Sequence, residues 1–158
     1  LAALAPHPGQ HLWDLGAGSG SVAIEWLLSG PAMQATAVEW NPDRAASIAV
    51  NATSLGVDWL QILQTDNLSA LEQLRRPDAV FIGGGLRDDL LGQLWDKLPA
   101  GTRLVANGVT IETDRLLTGA QETYGGQLTR LQLSALRDIG QMSGWKANYP
   151  ITQWAVTR

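Results

Sequence analysis

The sequence predicts an α/β domain of the Rossmann-like kind, with a seven-stranded, mostly parallel sheet and an antiparallel hairpin at its C-terminal end. Between residues 11 and 124, five short apolar segments alternate with segments that have the helical period. Consecutive strands joined by helices run parallel, because each helix returns the chain to the starting edge of the sheet. Residues 128–133 and 151–157 then read as strands with no helical period between them, which predicts an antiparallel pair.

The first βα unit covers residues 11–25, HLWDLGAGSGSVAIE. Its apolar strand ends in Asp14, and glycines at alternate positions, Gly16, Gly18 and Gly20, form a tight turn before a helix. Glycine accepts positive φ angles and lets a ligand approach the main chain, while the helix beyond offers free N–H groups. The turn is therefore a candidate ligand-binding loop.

The spacing of the glycines narrows the choice of ligand. A dinucleotide-binding turn has the pattern G-x-G-x-x-G, but here its third glycine would fall on Ser21. A Walker-type loop ends in Lys followed by Ser or Thr, and residues 1–43 contain neither Lys nor Arg. The pattern thus disfavours a phosphate cradle and favours a ligand with a cationic end and a ribose.

The second unit supplies an acidic residue at the spacing that such a ligand needs. Its strand, residues 33–39, ends in Glu39, which stands 19 residues after Gly20. Asn41 is expected to be the N-cap of the following helix, with Pro42 at the first helical position.

The third and fourth units follow the same plan. The third strand is expected over residues 59–64, followed by Asp66, Asn67 and a short helix over residues 69–74. The fourth strand lies in residues 78–85, DAVFIGGG, and runs directly into three glycines.

The fifth unit and the C-terminal region complete the chain. A helix over residues 90–98 leads to a strand at 103–106, which ends at Asn107, and Thr110 is expected to cap the next helix. Residues 137–150 are expected to form a long loop between the last two strands.

Ligands of an open parallel sheet bind beyond the carboxyl ends of the strands, where the strand order reverses. The predicted strands therefore direct their polar and glycine-rich ends toward one cleft. The residues expected there are Asp14, Gly16, Ala17, Gly18, Ser19, Gly20, Glu39, Asp66, Asn67, Gly83, Gly84, Gly85 and Asn107. Simpler roles stay open, because Asp66 can cap a helix, Asp14 can bind loop amides, and the three successive glycines can be a plain turn.

Composition excludes several classes of protein. The 158 residues are 45% hydrophobic and include no Cys, which rules out disulfide scaffolds and thiolate metal sites. His7 and His11 have no acidic partner nearby in sequence, so no metal site is predicted. No apolar run has the length of a membrane span, and the lack of Cys agrees with a cytoplasmic enzyme. Residues 1–158 are expected to be one domain, the C-terminal part of a longer chain, because residues 1–5 read as the end of a helix.

The net charge of −4 lacks the basic footprint of a nucleic-acid binder, so no nucleic-acid partner is predicted. Residues 101–158 nevertheless carry six basic and four acidic side chains, enough for a locally basic face. The expected loop interleaves Arg137, Trp145 and Lys146, which could hold an aromatic, anionic substrate through charge and stacking. A hairpin loop with one buried Trp is the alternative.

The run D-x-G-x-G-x-G followed by Glu39 resembles the first motif of the class I S-adenosylmethionine-dependent methyltransferases. That resemblance implies S-adenosyl-L-methionine as the cofactor. It also implies that Asp14 and residues 16–20 serve the methionine moiety, that Glu39 takes the ribose hydroxyls, and that Asp66 and Asn67 meet the adenine.

Four stretches resemble a narrower family: LWDLGAGSGSVAIEW, DAVFIGGG, LPAGTRLVANGVTIET and GQMSGWKANYPITQW. They are similar to the decarboxylating precorrin methyltransferases of cobalamin biosynthesis, in particular to their C-15-methylating domain, and the similarity covers nearly the whole chain. It implies methylation of a precorrin at C-15 with loss of carbon dioxide from the C-12 acetate, and a homotetramer. Members often have Ala where this chain has Asn67.

The acceptor is expected at the run Gly83, Gly84 and Gly85, whose missing side chains suit a bulky planar ring, with Asn107 and the residues of the loop around it. No Ser-His-Asp order or G-x-S-x-G motif is present, and no general acid or base is identified, so catalytic residues are not assigned. A methyltransferase acting on RNA or protein, and a nucleotide-binding scaffold without catalysis, stay open as alternatives.

Overall fold

A computed structural model describes residues 1–158 and has the predicted α/β architecture. A single 3₁₀ turn, Ala2–Leu4, precedes the first strand. The helices are α1 (Ser21–Leu28), α2 (Pro42–Ser54), α3 (Asn67–Ala70), α4 (Asp88–Lys97) and α5 (Ile111–Tyr124). The strands are β1 (His11–Leu15), β2 (Gln34–Val38), β3 (Gln61–Leu63), β4 (Ala79–Ile82), β5 (Arg103–Gly108), β6 (Gln127–Leu131), β7 (Ser134–Ile139), β8 (Met142–Ala147) and β9 (Ile151–Thr157).

Seven of the strands form one sheet in the order β3-β2-β1-β4-β5-β9-β6. Strands β1 to β5 are parallel, whereas β9 runs antiparallel to both of its neighbours, β5 and β6. The predicted seven-stranded, mostly parallel sheet is therefore confirmed. The strand order reverses between β1 and β4, which is the point where a sheet of this kind binds its ligands.

Helices cover both faces of the sheet, because alternate strand residues point to opposite sides. Leu12 of β1 belongs to a buried cluster with residues of α1 and α2. Its neighbour Trp13 belongs to a second cluster with residues of α3, α4 and α5. The sheet is thus the middle of three layers. No helix in the structure has both the length and the apolar character needed to cross a membrane.

Local capping signals fix where the helices begin. The Asn41 side chain accepts a hydrogen bond from the Arg44 N–H at 3.0 Å, and Thr110 Oγ1 accepts one from the Thr113 N–H at 3.2 Å, as predicted. The expected helix over residues 69–74 was wrong in its bounds. The α3 helix begins earlier and is shorter, because Asp66 is its N-cap.

The expected loop over residues 137–150 was also wrong. Most of it lies in β7 and β8, which pair as a separate antiparallel hairpin with Leu136 opposite Trp145, and Gly140 takes a φ of +62° at the turn. The side chains of this hairpin are mostly exposed, and Trp145 is 76% exposed. Because neither face is buried against the domain, the sequence carries no apolar alternation that would have revealed the strands.

The last strand, β9, is held in the sheet by an aromatic cluster. Trp154 is fully buried, and its ring centroid lies 6.5 Å from that of Trp95 and 6.2 Å from that of Tyr124. Its Nε1 donates a hydrogen bond to the carbonyl of Gly125 at 2.8 Å. This contact ties β9 to the end of α5.

An acidic side chain is buried where β1 ends. Asp14 is only 1% exposed, its Oδ2 accepts a hydrogen bond from the Ala23 N–H in α1 at 3.0 Å, and its Oδ1 has no partner. Burial raises the pKa of this carboxyl to about 7, an effect that the Ala23 hydrogen bond opposes and the negative charge of Glu39 reinforces. Asp14 therefore links the Gly-rich turn to α1 as a largely protonated group below neutral pH.

We expect this carboxyl to make stability depend on pH. The pKa of Asp14 in the folded protein lies above the ordinary value of 3.8, so the carboxyl group ionises more easily in the unfolded chain. The contribution of Asp14 to the free energy of unfolding is therefore largest below about pH 4 and decreases as the pH rises toward 7. The loss at high pH is on the order of 4 kcal/mol. The Asp14→Asn variant cannot ionise, so the free energy of unfolding of the wild type should fall relative to the variant across this range.

Denaturant unfolding of the two proteins at a series of pH values measures that difference. Other titrating groups, such as His11, are common to both proteins and cancel in the comparison. A wild-type-minus-variant difference that stays constant from pH 4 to 8 would show that Asp14 is not the responsible group.

Candidate functional site

A cavity of about 210 Å³ opens beyond the carboxyl ends of the parallel strands. It contains both glycine-rich segments and the acid that follows β2, so the structure brings together residues that are far apart in sequence. Its lining residues are Gly16, Glu39, Trp40, Arg44, Asp66, Asn67, Leu68, Gly84, Gly85, Arg87 and Leu90. The cavity lies at the predicted edge of the sheet.

The floor of this cavity is main chain. Gly16, Gly18 and Gly20 have φ angles of +68°, +59° and +78°, as expected for the turn after β1. A Cβ atom on Gly16 would overlap the carbonyl group of Gly84. The Gly83 N–H donates to the carbonyl of Leu15 at 3.0 Å, which holds the two segments side by side. No side chain fits between them, so a ligand can approach both backbones.

The carboxylate of Glu39 is oriented by hydrogen bonds from two main-chain N–H groups. The residue is 2% exposed, its Oε2 accepts a hydrogen bond from the Gly18 N–H at 2.9 Å, and its Oε1 accepts one from the Asn41 N–H at 3.0 Å. An ionised carboxylate has about four acceptor positions, so each oxygen keeps one. Glu39 can therefore accept two further hydrogen bonds from a ligand.

Asp66 and Asn67 form the wall beside α3. Asp66 Oδ1 accepts hydrogen bonds from the N–H groups of Leu68 and Ser69, each at 3.0 Å, and Oδ2 accepts one from the Ser69 hydroxyl at 2.6 Å. The hydroxyl bond, followed by the backbone bonds, lowers the pKa of Asp66. Asn67 Nδ2 donates to the carbonyl of Gly84 at 3.1 Å. The capping role is thus present, and both side chains are fixed in place.

The remaining residues of the first glycine-rich segment lie along the turn and do not line the cavity. Ala17 N–H donates to the carbonyl of Val38 at 2.9 Å, and the carbonyl of Ser19 accepts from Asn51 Nδ2 at 3.0 Å. Gly83 is also not among the residues that line the cavity. The roles predicted for these residues toward the methionine moiety, and for Asp14 below them, stay predictions.

The predicted acceptor residues are not gathered in one place. Asn107 belongs to β5, where its Oδ1 accepts from Gln153 Nε2 at 2.9 Å, outside the cavity lining. On the hairpin, Ala135 is opposite Lys146 and Arg137 is opposite Gly144, so Arg137 and Lys146 share one face. Trp145 is on the other face, because successive strand residues alternate. The hairpin residues also lie outside the cavity lining.

Sequence reasoning missed three large polar or aromatic residues of the cavity. Trp40 follows Glu39 directly and is 67% exposed, Arg44 lies in the first turn of α2, and Arg87 precedes α4. Only Trp40 had a sequence signal, its position next to the acid that ends β2. No group of three or more His, Cys, Asp or Glu side chains that could hold a metal ion is present.

The chain is similar in sequence to proteins that are named as decarboxylating methyltransferases of precorrins or cobalt-precorrins. It is 45% identical over 159 residues to the precorrin-6Y C(5,15)-methyltransferase [decarboxylating] of Sinorhizobium sp, covering 100% of this chain and 38% of that protein. It is 31% identical over 156 residues to the cobalt-precorrin-6B C(15)-methyltransferase (decarboxylating) of Salmonella typhimurium, covering 96% of this chain and 80% of the relative. The chain therefore spans well under half of the first relative and most of the second.

A solved structure has the same fold over the whole chain. The C-terminal domain of precorrin-6Y C5,15-methyltransferase from Rhodobacter capsulatus superposes with a TM-score of 0.94 and 43% identity, covering 100% of this chain and 85% of that one. The family model described as the precorrin methyltransferase domain matches residues 1–158. The family model, the sequence relatives and the solved structure agree, and the chain belongs to the precorrin methyltransferase domain family.

Proposed function

We propose that this domain binds S-adenosyl-L-methionine in the cavity and methylates C-15 of a precorrin, with loss of carbon dioxide from the C-12 acetate, in cobalamin biosynthesis. The observation that carries the proposal is the meeting of Glu39, the turn at Gly16 and the backbone of Gly84 in one cavity of a chain of this family. The Sinorhizobium relative is named for methylation at two positions, and this chain covers 38% of it. Methylation at C-5 is therefore left out of the proposal.

The residues present fit this cofactor. The two free acceptor positions on Glu39 suit the two ribose hydroxyls, which are neighbouring donors. Asn67 and the apolar side chains of Leu68 and Leu90 provide a wall for the adenine, and the exposed ring of Trp40 stands next to Glu39 for stacking. These contacts hold the nucleoside end.

The methionine end is assigned to the first glycine-rich turn. Gly20 is the N-cap of α1 and supplies no side-chain cap. The Ala23 N–H is bound to Asp14, so the N–H groups of Ser21 and Val22 are the ones at this helix start that are available to a carboxylate. The Oδ1 of Asp14, the residue before this turn, has no hydrogen-bond partner and would be an acceptor for the amino group of the cofactor. Residues 16–20 then contact the ligand through their main chain.

The bound cofactor would supply an electrophilic methyl group, and the acceptor can supply the electrons. Loss of carbon dioxide beside an electron-poor ring nitrogen leaves an enamine, whose conjugated carbon is nucleophilic. The chain then needs chiefly to align the reactants. The glycines of residues 83–85 leave room for a broad ring, and Asn107 keeps its Nδ2 as a donor because Gln153 uses only its Oδ1.

The proposal leaves the metal state of the ring open, since one relative is named for a precorrin and another for a cobalt-precorrin. A cytoplasmic location is part of it, as expected for a biosynthetic enzyme with a small-molecule cofactor.

A homotetramer is also proposed, with the hairpin of β7 and β8 as an assembly surface. Leu136 and Trp145 form a cross-strand pair on one face, where they are 56% and 76% exposed. Ile139 and Met142 form a pair on the other face, 65% and 76% exposed. A two-stranded hairpin is marginally stable alone, so large apolar side chains on both of its faces favour burial against other subunits.

The function is tested by incubating the purified protein with S-adenosyl-L-methionine and a precorrin that retains the C-12 acetate. Mass spectrometry should show a product that has gained one methyl group and lost one carbon dioxide, with S-adenosylhomocysteine formed in equal amount. The same assay is applied to the variant Gly84→Leu, whose Cβ would lie 3.7 Å from the Gly16 carbonyl oxygen without a clash. Its turnover should fall by at least about tenfold, because the larger side chain fills the acceptor floor.

Methyl transfer to RNA or protein but not to the precorrin would assign the domain to a different acceptor. Binding of the cofactor without transfer to any of them would favour a non-catalytic scaffold.

The ribose assignment predicts a loss of cofactor affinity when the acceptor on Glu39 is removed. Calorimetric titration of S-adenosylhomocysteine should give a Kd raised roughly thirtyfold or more in Glu39→Ala, since hydrogen bonds to a charged group contribute about 2 kcal/mol. Glu25→Ala is the control, because Glu25 is exposed on α1 outside the cavity. Equal affinities in wild type and Glu39→Ala, with both proteins folded, would remove Glu39 from the ribose site.

The assembly surface predicts a change of mass in solution. Sedimentation of the variant with Leu136→Ser and Trp145→Ser should show smaller species than the wild-type tetramer, because the substitutions remove apolar area that the neighbouring subunits would bury. Leu55→Ser, at a 55% exposed position just after α2, should leave the mass unchanged. A wild-type protein that sediments as a monomer contradicts the proposal directly.

A further inference from the structure

One cationic residue, Arg87, lies in the sequence between the glycines that line the cavity, Gly84 and Gly85, and the start of α4. Arg87 lines the cavity next to Gly84 and Gly85, neither of which carries a side chain. Its own side chain is 67% exposed, so the guanidinium lies at the mouth of the cavity and is accessible to a bound molecule.

The orientation of this guanidinium is fixed by the helix that follows. Arg87 Nε donates to Asp89 Oδ1 at 3.0 Å, and Nη2 donates to Asp89 Oδ2. Asp89 Oδ1 also accepts from the Leu90 N–H at 2.9 Å, which anchors the carboxylate to the first turn of α4. Both oxygens of Asp89 are engaged, and Nη1 of Arg87 is left with its two N–H donors free.

Neither acid of the cavity lining is hydrogen-bonded to Arg87. Asp66 is committed to the N-terminus of α3, and Glu39 is hydrogen-bonded to the main chain at Gly18 and Asn41. Arg44, the other cation of the lining, lies in α2, the helix that Trp40 and Asn41 precede. Arg87 is therefore the cation nearest in sequence to the glycines at which the acceptor is proposed to bind.

We propose that Arg87 is a specificity-determining residue that binds a peripheral carboxylate of the tetrapyrrole acceptor through Nη1. This inference rests on the proposed function, in which the acceptor is a ring that carries many carboxylates. Adenine and ribose are uncharged, and the carboxylate of the cofactor is assigned to the turn at residues 16–20. A fixed guanidinium at the rim thus has the acceptor as its anionic partner, and it recognises carboxylates with a directional hydrogen-bond geometry that Lys lacks.

The test compares Arg87→Gln and Arg87→Lys with the wild type. Arg87→Gln should raise the KM for the precorrin about tenfold, the factor expected for one charge-assisted hydrogen bond at an exposed site, with kcat and the Kd for S-adenosylhomocysteine unchanged. It should also weaken the dependence of KM on salt, because one screened charge interaction is lost. Arg87→Lys should restore part of the affinity. Arg76→Gln is the control, since Arg76 is exposed and precedes β4, at the opposite edge of the sheet.

A direct binding measurement separates this inference from the proposed reaction. Uroporphyrin, a stable polycarboxylate tetrapyrrole, is titrated into the same proteins in the presence of S-adenosylhomocysteine, and its Kd should rise about tenfold in Arg87→Gln. If the precorrin is not methylated but uroporphyrin binding still depends on Arg87, the proposed reaction is contradicted, whereas carboxylate binding by Arg87 is supported. Unchanged KM and Kd in Arg87→Gln, an equal loss of cofactor affinity, or no uroporphyrin binding by an inactive wild type would each overturn the inference.

Discussion

The close approach of two backbones, at Gly16 after β1 and at Gly84 after β4, is the constraint on which the site depends. The two strands are neighbours at the point where the strand order reverses, and a side chain on Gly16 would overlap the Gly84 carbonyl. Asn67 donates a hydrogen bond to that same carbonyl, so the third βα loop is positioned by the contact as well. The cavity therefore has a floor of main chain whose shape follows from the sheet, and the side chains that give it chemical character stand around the rim.

The two acidic residues near this floor, Asp14 and Glu39, lie in different environments. Asp14 is buried beneath the turn with one oxygen unpartnered, and its pKa is raised to about 7, whereas the carboxylate of Glu39 is surrounded by N–H donors and faces the cavity. The two acids of this loop region thus differ in environment: Asp14 is buried and linked to α1, whereas Glu39 keeps acceptor positions for a ligand in the cavity. Arg87 adds a cation to the lining of the cavity and is hydrogen-bonded to Asp89 in the first turn of α4.

The sequence predicts well those features that are encoded locally. The five βα units follow from apolar periodicity, and the starts of α2 and α5 follow from Asn41 and Thr110, whose side chains cap the helices. The hairpin of β7 and β8 was missed because its side chains are exposed on both faces, and a strand without a buried face leaves no alternation to detect. Arg87 was missed for a different reason. Its place in the cavity arises from how α4 begins after the glycines, and no spacing rule connects it to the residues across the cavity.

The position of β9 in the sheet constrains the order in which the strands can pair during folding. Strand β6 meets the rest of the sheet only through β9, which lies between it and β5, although β9 follows β6 by about 20 residues in the sequence. As long as residues 151–157 are not paired with β5, the five parallel strands can pair with one another, but β6 has no partner strand. A partly folded chain therefore has an unpaired edge at β5 until Trp154 of β9 inserts beside Trp95 and Tyr124. Docking of β9 between β5 and β6 is therefore the step that completes the seven-stranded sheet.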